Sequence, residues 1–324
     1  MITLRECQSI INQKFTEFSL PEYPTNLYKP IRYMLELEAK RLRPSLVLLG
    51  CNVFSDNIQP AIFPALAIEL FHNFTLMHDD IMDKSALRRN NPTVHARWNQ
   101  NVAILSGDAM LIKAYEMLSL GPAVYLHKIL PVFNKTALQV CEGQQYDMDY
   151  EHNLSVTIDN YIRMVEYKTA VLIAASLKIG ALVGGAGETE SDELYEFGRN
   201  IGIAFQLQDD LLDVFADPEV FGKVTGNDIV SNKKTILLIE ALNQASGIIR
   251  EKLLGWIKKE EFNRNEKIHA VKSIYQELNL EQSTIERIRH YHEKAIENLN
   301  ILRIDVSRKS ELLVFSTYLM NRKK

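Results

Sequence analysis

Residues 201–213, with the sequence IGIAFQLQDDLLD, decide the fold of this chain. The stretch predicts a helix that is apolar on nearly every side, and such a helix lies in the interior of a protein. Residues 71–83, FHNFTLMHDDIMD, repeat the arrangement about 130 residues earlier in the chain. Both stretches end in the same five-residue pattern, Asp-Asp-x-x-Asp, so the sequence predicts two buried helices that each carry a group of carboxylates.

On a helix, residues i and i+4 share a face and lie about 6 Å apart along the axis, so each pattern directs its carboxylates to one point. An isolated aspartate pair is often only a solvated helix face, but the apolar surroundings of both patterns argue against that interpretation. Buried like charges raise each other's pKa and need a cation. Mg²⁺ binds one or two carboxylates and completes its coordination with water and substrate phosphate. The two motifs therefore predict a polyphosphate-binding metal site. Its candidate ligands are Asp79, Asp80, Asp83, Asp209, Asp210 and Asp213.

Composition agrees with one soluble helical domain. The chain has 324 residues, 46% of them hydrophobic, and a formal net charge of −4, which argues against a nucleic-acid partner. No run approaches 18 apolar residues and the N-terminus lacks a signal-peptide pattern, so we expect a cytoplasmic protein without stable membrane insertion. Three cysteines without metal-ligand spacing fit reduced thiols.

The periodicity is helical almost throughout, and alternating strand patterns are nearly absent. We therefore predict an all-α fold in a single domain over residues 1–324. Ser283 and Glu286 form a capping-box pattern that predicts the start of a late helix.

Beyond the aspartates, the chain resembles the trans-isoprenyl diphosphate synthases, or polyprenyl synthetases, and most closely their short-chain farnesyl and geranylgeranyl type. The resemblance extends over residues 28–322 and rests on motifs in the order of that family. These motifs are Lys40-Arg41-Leu42-Arg43-Pro44, Leu87-Arg88-Arg89, Pro92-Thr93, Ser106-Gly107-Asp108, Gly143-Gln144, Lys168-Thr169, Phe205-Gln206, Gly222-Lys223 and Asn232-Lys233.

The resemblance implies an isoprenoid synthase helical bundle with a central cavity, three Mg²⁺ ions in the active site and a homodimeric assembly. It also implies an Mg²⁺-dependent head-to-tail condensation of isopentenyl diphosphate with an allylic diphosphate, either dimethylallyl, geranyl or farnesyl diphosphate. By the same resemblance, isopentenyl diphosphate is bound by Lys40, Arg43, His72 and Arg89. The allylic diphosphate is bound by Arg88, Lys168, Thr169, Gln206, Lys223 and Lys233. The expected catalytic residues are Lys168, Thr169 and Gln206. The resemblance places the oxygen dipoles of Thr169 and Gln206 near the carbocation that forms when the allylic diphosphate loses its diphosphate group.

Some of the bases carry other interpretations. We expect Arg41 and Lys234 to be ordinary exposed side chains. Arg88 and Arg89, taken as neighbours on a helix, would point about 100° apart and so serve separate sites. Asn90 and Asn91 stand where the family commonly has glycine, and asparagine tolerates a left-handed backbone.

Product length is not fixed by these motifs. In the family, bulky residues before the first aspartate motif close the elongation pocket, and the corresponding positions here are Phe71, Phe74 and Thr75. They indicate farnesyl or geranylgeranyl diphosphate, although both phenylalanines are also compatible with an ordinary core. A longer polyprenyl product is the alternative.

Three other functions remain open at this point: a class I terpene cyclase, a noncatalytic synthase subunit and a structural helical protein. A cyclase typically has an Asn/Asp-Ser/Thr-Glu second motif, and a noncatalytic subunit usually lacks one of the two motifs. The intact second motif ending at Asp213 favours chain elongation.

Overall fold

The computed structural model describes residues 1–151, 153–216 and 225–320, and these residues are almost entirely helical. The predicted all-α fold is therefore confirmed. In chain order, the helices are α1 (Leu4–Thr16), α2 (Thr25–Glu36), α3 (Leu42–Phe54), α4 (Ile62–Met82), α5 (Val94–Arg97), α6 (Gln100–Leu120), α7 (Ala123–Tyr150), α8 (Ile158–Val165), α9 (Val171–Val183), α10 (Glu188–Phe215), α11 (Asn227–Val230), α12 (Ile236–Gln244), α13 (Gly247–Lys258), α14 (Arg264–Glu277), α15 (Leu280–Ile301) and α16 (Ser310–Met320).

The chain forms two compact units. The first unit consists of Met1–Lys135, Leu172–Tyr195 and Leu302–Leu312, and the second of Thr136–Val171, Glu196–Ile301 and Leu313–Lys324. The first aspartate motif belongs to the first unit and the second motif to the second. That the chain is one functional domain stays a prediction.

The core of the first unit is built on α3 and α4. Helix α3 is buried on all sides between Pro44 and Val53, which explains its lack of a polar face. The segment Gln59–Met82 is long and apolar enough to cross a membrane, since an 18-residue window within it has a mean hydropathy of 1.2, but 72% of that window is buried within the protein. Burial in the core explains the apolar character of α4.

A two-stranded hairpin follows α4. Its strands, β1 (Leu87–Arg88) and β2 (Asn91–Pro92), are antiparallel. Arg89 and Asn90 form the turn, with φ of 54° and 62°. Two successive left-handed residues are what a tight hairpin turn of this twist requires, so the tolerance expected of Asn90 is confirmed. The helical placement of Arg88 and Arg89 was wrong, because the left-handed turn ends any helix here.

The core of the second unit surrounds α12, in which every residue from Ile236 to Leu242 is buried. The Thr235 side chain caps α12 by accepting a hydrogen bond from Leu238 N. The predicted helix start at Ser283 was wrong, since α15 begins at Leu280. Ser283 lies inside that helix and donates to buried Glu240 Oε2 at 2.6 Å instead.

Candidate active site

The last turn of α4 places the first aspartate motif beside Arg88. Arg88 donates to Asp80 Oδ1 at 2.7 and 3.0 Å and to Asp79 Oδ2 at 3.4 Å. Asp80 is 2% exposed, and its burial raises the pKa of the carboxyl although Arg88 opposes the shift. Asp83 stands at the end of α4 and is exposed. Asp79 and Asp83 thus lie one turn apart at the C-terminal end of α4, whereas the Asp80 side chain is buried in the protein.

A cluster of cationic side chains in the same unit contains three of the four residues expected to bind isopentenyl diphosphate. Arg43 Nη1 and His72 Nε2 are 3.1 Å apart, and because an arginine only donates, the imidazole nitrogen accepts. Burial, reinforced by Arg43 and Arg89, lowers the pKa of His72 well below its usual value and keeps the ring neutral. Lys40, the fourth predicted residue, is exposed.

The guanidinium groups of this cluster are incompletely satisfied. Arg43 Nε and Arg89 Nη1 are buried and have no hydrogen-bonding partner among the described residues. Burial lowers the pKa of Arg43 to about 10, and Arg89 contributes by repulsion. Buried donors without acceptors are costly, so this arrangement favours an anion that brings its own oxygens.

Arg41 was wrongly expected to be exposed. It is 6% exposed and forms an ion pair of 2.6 Å with Glu69, a buried residue of α4. An arginine is rarely buried without a partner, and here the partner comes from a distant helix.

Asp210 of the second aspartate motif lines a pocket in the second unit. The pocket is lined by Asp147, Tyr161, Met164, Val165, Lys168, Thr169, Gln206, Asp210, Lys233, Lys234 and Thr235. Its walls thus combine apolar side chains with acidic and cationic groups, and four of the lining residues were predicted from the sequence to bind the allylic diphosphate.

Asp210 is surrounded by protein donors. It accepts a very short hydrogen bond from the Tyr161 hydroxyl, and further bonds from Gln206 Nε2 at 3.2 Å and Ile236 N at 3.3 Å. Burial raises its pKa, which Lys233 and these donors oppose. Asp213 is only half-buried and accepts from Asp228 N at 3.0 Å. As in the first motif, the middle aspartate faces the protein.

Lys168 and Thr169 stand on a π-helical turn, Glu166–Ala170, inserted between α8 and α9. Such turns occur frequently at functional sites because they redirect side chains from the regular helical positions. Lys168 Nζ lies 2.6 Å from Asp147 Oδ2, and Thr169 donates to Gln206 Oε1 at 3.3 Å.

Two glycines allow neighbouring helices to pack closely against the backbone of this π-helical turn. A Cβ at Gly143 would lie 2.2 Å from Lys168 N, and one at Gly202 would lie 2.6 Å from Ala170 Cα. Neither distance is compatible with a side chain. Helices α7 and α10 therefore approach the backbone of the turn only because both positions are glycine.

Sequence reasoning missed several residues of this pocket. Tyr161 and Asp147 belong to no recognised motif, and their roles depend on contacts with Asp210 and Lys168. Asp228 lies 3.9 Å from Lys233 Nζ, and burial raises its pKa to about 7. Its position after the Gly222-Lys223 motif was the available signal. Lys223 itself lies outside the described residues.

Lys234 was also wrongly expected to be exposed. Its ammonium is buried and donates to the carbonyl oxygen of Glu151 at 2.9 Å and to that of Asn232 at 3.3 Å. It therefore anchors the segment that carries the neighbouring Lys233.

The three predicted chain-length residues occupy different environments on α4. Phe71 is buried and packs edge-to-face on Phe133, with ring centroids 5.3 Å apart. Phe74 is half-buried, and its ring centroid lies 4.8 Å from that of His78, next to the aspartate motif. Thr75 donates to His72 O at 2.8 Å. Of the three, Phe74 is the one whose ring contacts His78, the residue immediately before the aspartate motif.

Within residues 1–151, 153–216 and 225–320, no three His, Cys, Asp or Glu side chains are gathered as a ready metal-binding group. The donor chemistry nevertheless fits Mg²⁺. Asp79 with Asp83, and Asp209 with Asp213, offer hard oxygen ligands at one-turn spacing. The acidic motifs therefore fit a metal ion whose coordination is completed by substrate oxygens.

A helical chain that sets carboxylates beside buried guanidinium and ammonium groups has the features of the helical isoprenyl diphosphate synthases. The family model of the polyprenyl synthetases matches residues 24–278. The geranylgeranyl diphosphate synthase of Methanosarcina mazei is 40% identical over 305 residues, which cover 92% of this chain and 90% of that protein. The chain belongs to the polyprenyl synthetase family and is a prenyltransferase that elongates prenyl chains head to tail.

Two further comparisons agree. The geranylfarnesyl diphosphate synthase of Natronomonas pharaonis is 39% identical over 260 residues, covering 74% of this chain and 76% of that protein. A crystal structure of a geranylgeranyl pyrophosphate synthase matches with a TM-score of 0.94 and 39% identity, covering 100% of both chains. The predicted family and reaction class are thereby confirmed.

Proposed function

We propose that the protein condenses isopentenyl diphosphate with an allylic diphosphate to give farnesyl or geranylgeranyl diphosphate and diphosphate. The observation that carries the proposal is the buried guanidinium cluster, in which Arg43 Nε and Arg89 Nη1 have no acceptor among the described residues. A diphosphate supplies several charged oxygens that can accept hydrogen bonds from guanidinium groups. We assign this cluster, with exposed Lys40 and neutral His72, to isopentenyl diphosphate.

By the family resemblance, the allylic diphosphate is assigned to Arg88, Lys168, Thr169, Gln206 and Lys233, and all of these except Arg88 line the second-unit pocket. Lys223 completes the predicted set, outside the described residues. The arginine and the lysines are cationic, and Lys168 and Lys233 stand next to Asp147 and Asp228. These contacts pre-position the ammonium groups, and the allylic diphosphate would draw them toward its own charge.

The metal proposal is three Mg²⁺ ions. Bound Mg²⁺ supplies positive charge that stabilises the leaving diphosphate. We assign the direct contacts to Asp79, Asp83, Asp209 and Asp213. Asp80 and Asp210 are the more deeply buried members of the predicted ligand set, and their protein donors suit them to orienting the motifs.

The chain's residues then protect and direct the reaction. Met164 and Val165 give the second-unit pocket apolar walls, which exclude water from the allylic carbocation. Thr169 and Gln206, held together by their hydrogen bond, offer oxygen dipoles to that cation. The allylic C–O bond breaks to give the carbocation and diphosphate. The double bond of isopentenyl diphosphate attacks this cation, and the diphosphate takes the proton that the resulting tertiary cation loses, so no side-chain nucleophile is needed.

The named relatives support a product length and a set of allylic primers for this enzyme. The named relatives make geranylgeranyl and geranylfarnesyl diphosphate, which supports a product of intermediate length. We propose dimethylallyl and geranyl diphosphate as primers, with farnesyl diphosphate as a third primer if the product is geranylgeranyl diphosphate. A longer polyprenyl product is the competing outcome.

One incubation tests the whole proposal. The purified protein is mixed with dimethylallyl diphosphate, labelled isopentenyl diphosphate and Mg²⁺, and the products are separated by chromatography. Labelled farnesyl or geranylgeranyl diphosphate is expected. Cyclic hydrocarbons would indicate a terpene cyclase, and no product from the intact protein would indicate a noncatalytic subunit.

We also propose a cytoplasmic homodimer. Helix α6 leaves Leu105 and Ile112 62% and 68% exposed, on the same side of the helix, where a second copy would cover them. Burial raises the pKa of the Cys7 and Cys51 thiols to about 12 and 11, which suits unreactive thiols in a reducing compartment. Light scattering should give twice the chain mass of 37.2 kDa, and a monomer would refute the dimer.

A further inference from the structure

Arg41 lies between two residues assigned to isopentenyl diphosphate but is itself closed to any ligand. Its Nη1 contacts Glu69 Oε1 at 2.6 Å, its Nε contacts Asn12 Oδ1 at 3.4 Å, and its Nη2 donates to the Leu35 carbonyl oxygen. Each of its three nitrogens therefore has a protein acceptor. Arg43 and Arg89 differ from Arg41 in exactly this respect, because each keeps a buried nitrogen without an acceptor among the described residues.

Glu69 is a buried anion on α4, three residues before His72, which contacts Arg43. Its side chain is 2% exposed, and apart from Arg41 it receives a hydrogen bond from Asn73 Nδ2 at 3.2 Å. Burial lowers the pKa of both Arg43 and Arg89, and attraction to Glu69 is the main opposing effect in each case. Glu69 is bonded to Arg41 and lies about one helical turn before His72, the contact of Arg43, so it stands beside the guanidinium cluster as well as beside Arg41.

Removing the Arg41 guanidinium would leave a buried carboxylate with two other guanidinium groups within its field. A buried charge without a partner is strongly unfavourable, and a neighbouring cation that moves to it would relieve that cost. Arg43 and Arg89 are the available cations. Either one, drawn toward Glu69, would point away from the diphosphate that the cluster is assigned to bind.

We propose that Arg41 is a positioning residue that neutralises Glu69 and so leaves the Arg43 and Arg89 guanidinium groups to isopentenyl diphosphate. The inference rests on the proposed assignment of that substrate to the guanidinium cluster. Arg41 acts through the other two arginines and touches no substrate.

The test compares two variants that break the same ion pair from opposite sides. Arg41→Gln leaves Glu69 unneutralised, so the KM for isopentenyl diphosphate should rise about tenfold or more while the KM for the allylic diphosphate stays within about twofold. Glu69→Gln removes the competing anion, so the KM for isopentenyl diphosphate should stay unchanged or fall. The double variant Arg41→Gln/Glu69→Gln should return near the wild-type KM.

A purely structural ion pair gives a different pattern, because both single variants then damage the same region in the same way. A rise in the KM for isopentenyl diphosphate in Glu69→Gln as large as that in Arg41→Gln would overturn the proposal. If Arg41→Gln does not fold, Arg41→Lys serves instead. It keeps the charge and should stay within about threefold of the wild-type KM, and a tenfold rise would contradict the proposal.

Two more variants separate this inference from the assignment on which it rests. Arg43→Gln should selectively raise the KM for isopentenyl diphosphate, and no selective rise would refute the substrate assignment itself. Arg308→Gln is the matched control, because Arg308 also joins a carboxylate and a carbonyl, with Asp56 at 2.6 Å and Asn52 O at 3.2 Å. It should leave both KM values unchanged, since it lies outside the cluster.

Discussion

At the scale of single residues, the aspartates within each motif differ in burial and in their contacts with the protein. Asp80 and Asp210 are buried and bonded to Arg88 and Tyr161, whereas Asp83 and Asp213 are more exposed. The two motifs share one sequence pattern, but the aspartates within each motif have different environments. The middle aspartates accept hydrogen bonds from protein donors, and the outer ones are the proposed metal ligands.

Replacement of an outer aspartate should abolish most activity without unfolding the protein. Asp79→Ala and Asp209→Ala are each expected to lower kcat about 10³-fold or more, because charge stabilisation of the leaving group is the largest catalytic contribution. Steady-state kinetics and circular dichroism measure both effects. Asp192→Ala, which breaks a pair with Lys178, is the control and should retain activity. Near-normal turnover of either motif variant would contradict the metal proposal.

Tyr161→Phe should weaken the metal site through Asp210. The variant loses the hydroxyl that donates to the buried carboxylate, so the Mg²⁺ concentration for half-maximal activity should rise about tenfold. The free energy of unfolding should fall by about 1–3 kcal/mol, because Asp210 loses one buried donor. Mg²⁺ titration of activity and urea unfolding measure the two changes. Tyr318→Phe, at a side chain 46% exposed, is the control. An unchanged Mg²⁺ requirement would show that Tyr161 does not orient Asp210.

Phe74→Ala should lengthen the main product by at least one isoprene unit. Phe74 lies next to His78 near the aspartate motif, and each added unit needs about one helical turn, ~5.4 Å, of depth. Adding Phe71→Ala should lengthen the product further. Phe63→Ala, an exposed position on the same helix, should leave product length unchanged. Chromatography of labelled products decides, and an unchanged distribution in active variants would place the end of the pocket elsewhere.

At the scale of elements, the π-helical turn Glu166–Ala170 is the most specialised part of the pocket. It carries Lys168 and Thr169, and it is closely approached by Gly143 and Gly202. Its geometry therefore depends on two residues with no functional group. Glycines of this kind are as much part of the site as the side chains they position.

Gly143→Ala should impair catalysis by displacing the π-helical turn. The new Cβ would lie 2.2 Å from Lys168 N, so we expect a loss of about 1–3 kcal/mol in the free energy of unfolding and a lower kcat. Gly255→Ala is the matched control, because nothing lies within 4 Å of a Cβ there. That helical position should gain up to about 1 kcal/mol of stability at unchanged kcat. Equal behaviour of the two variants would refute the positioning role.

The elements also show how far the sequence could be interpreted. The apolar periodicity of residues 71–83 and 201–213 correctly predicted helices, because burial of a continuous apolar stretch is a local property. The hairpin at Arg88 and the burial of Arg41 were missed, since they depend on a left-handed turn and on Glu69 of another helix. Tyr161 and Asp228 were missed for the same reason. Tertiary contacts, and no spacing within a motif, give these two residues their roles.

At the scale of the whole molecule, both units carry charged groups to which we assign ligands. The acidic motifs need cations and the guanidinium cluster needs an anion, so the protein without ligands is expected to be the less stable form. Mg²⁺ together with pyrophosphate should raise the melting temperature by more than the sum of their separate effects. Calorimetry with each ligand alone and with both tests this. A purely additive pattern would contradict a shared site.

The apolar character of α4 has a consequence for the synthesis of the protein. The segment Gln59–Met82 leaves the ribosome before its packing partner α6, which ends at Leu120. At about 5–20 residues per second, this interval of 38 residues from Met82 to Leu120 leaves the surface of α4 that α6 later covers exposed for about 2–8 s. During that time α4 resembles a membrane-inserting segment. The yield of folded protein in cells should therefore depend on chaperones that shield the emerging chain, even though the folded enzyme buries the same surface.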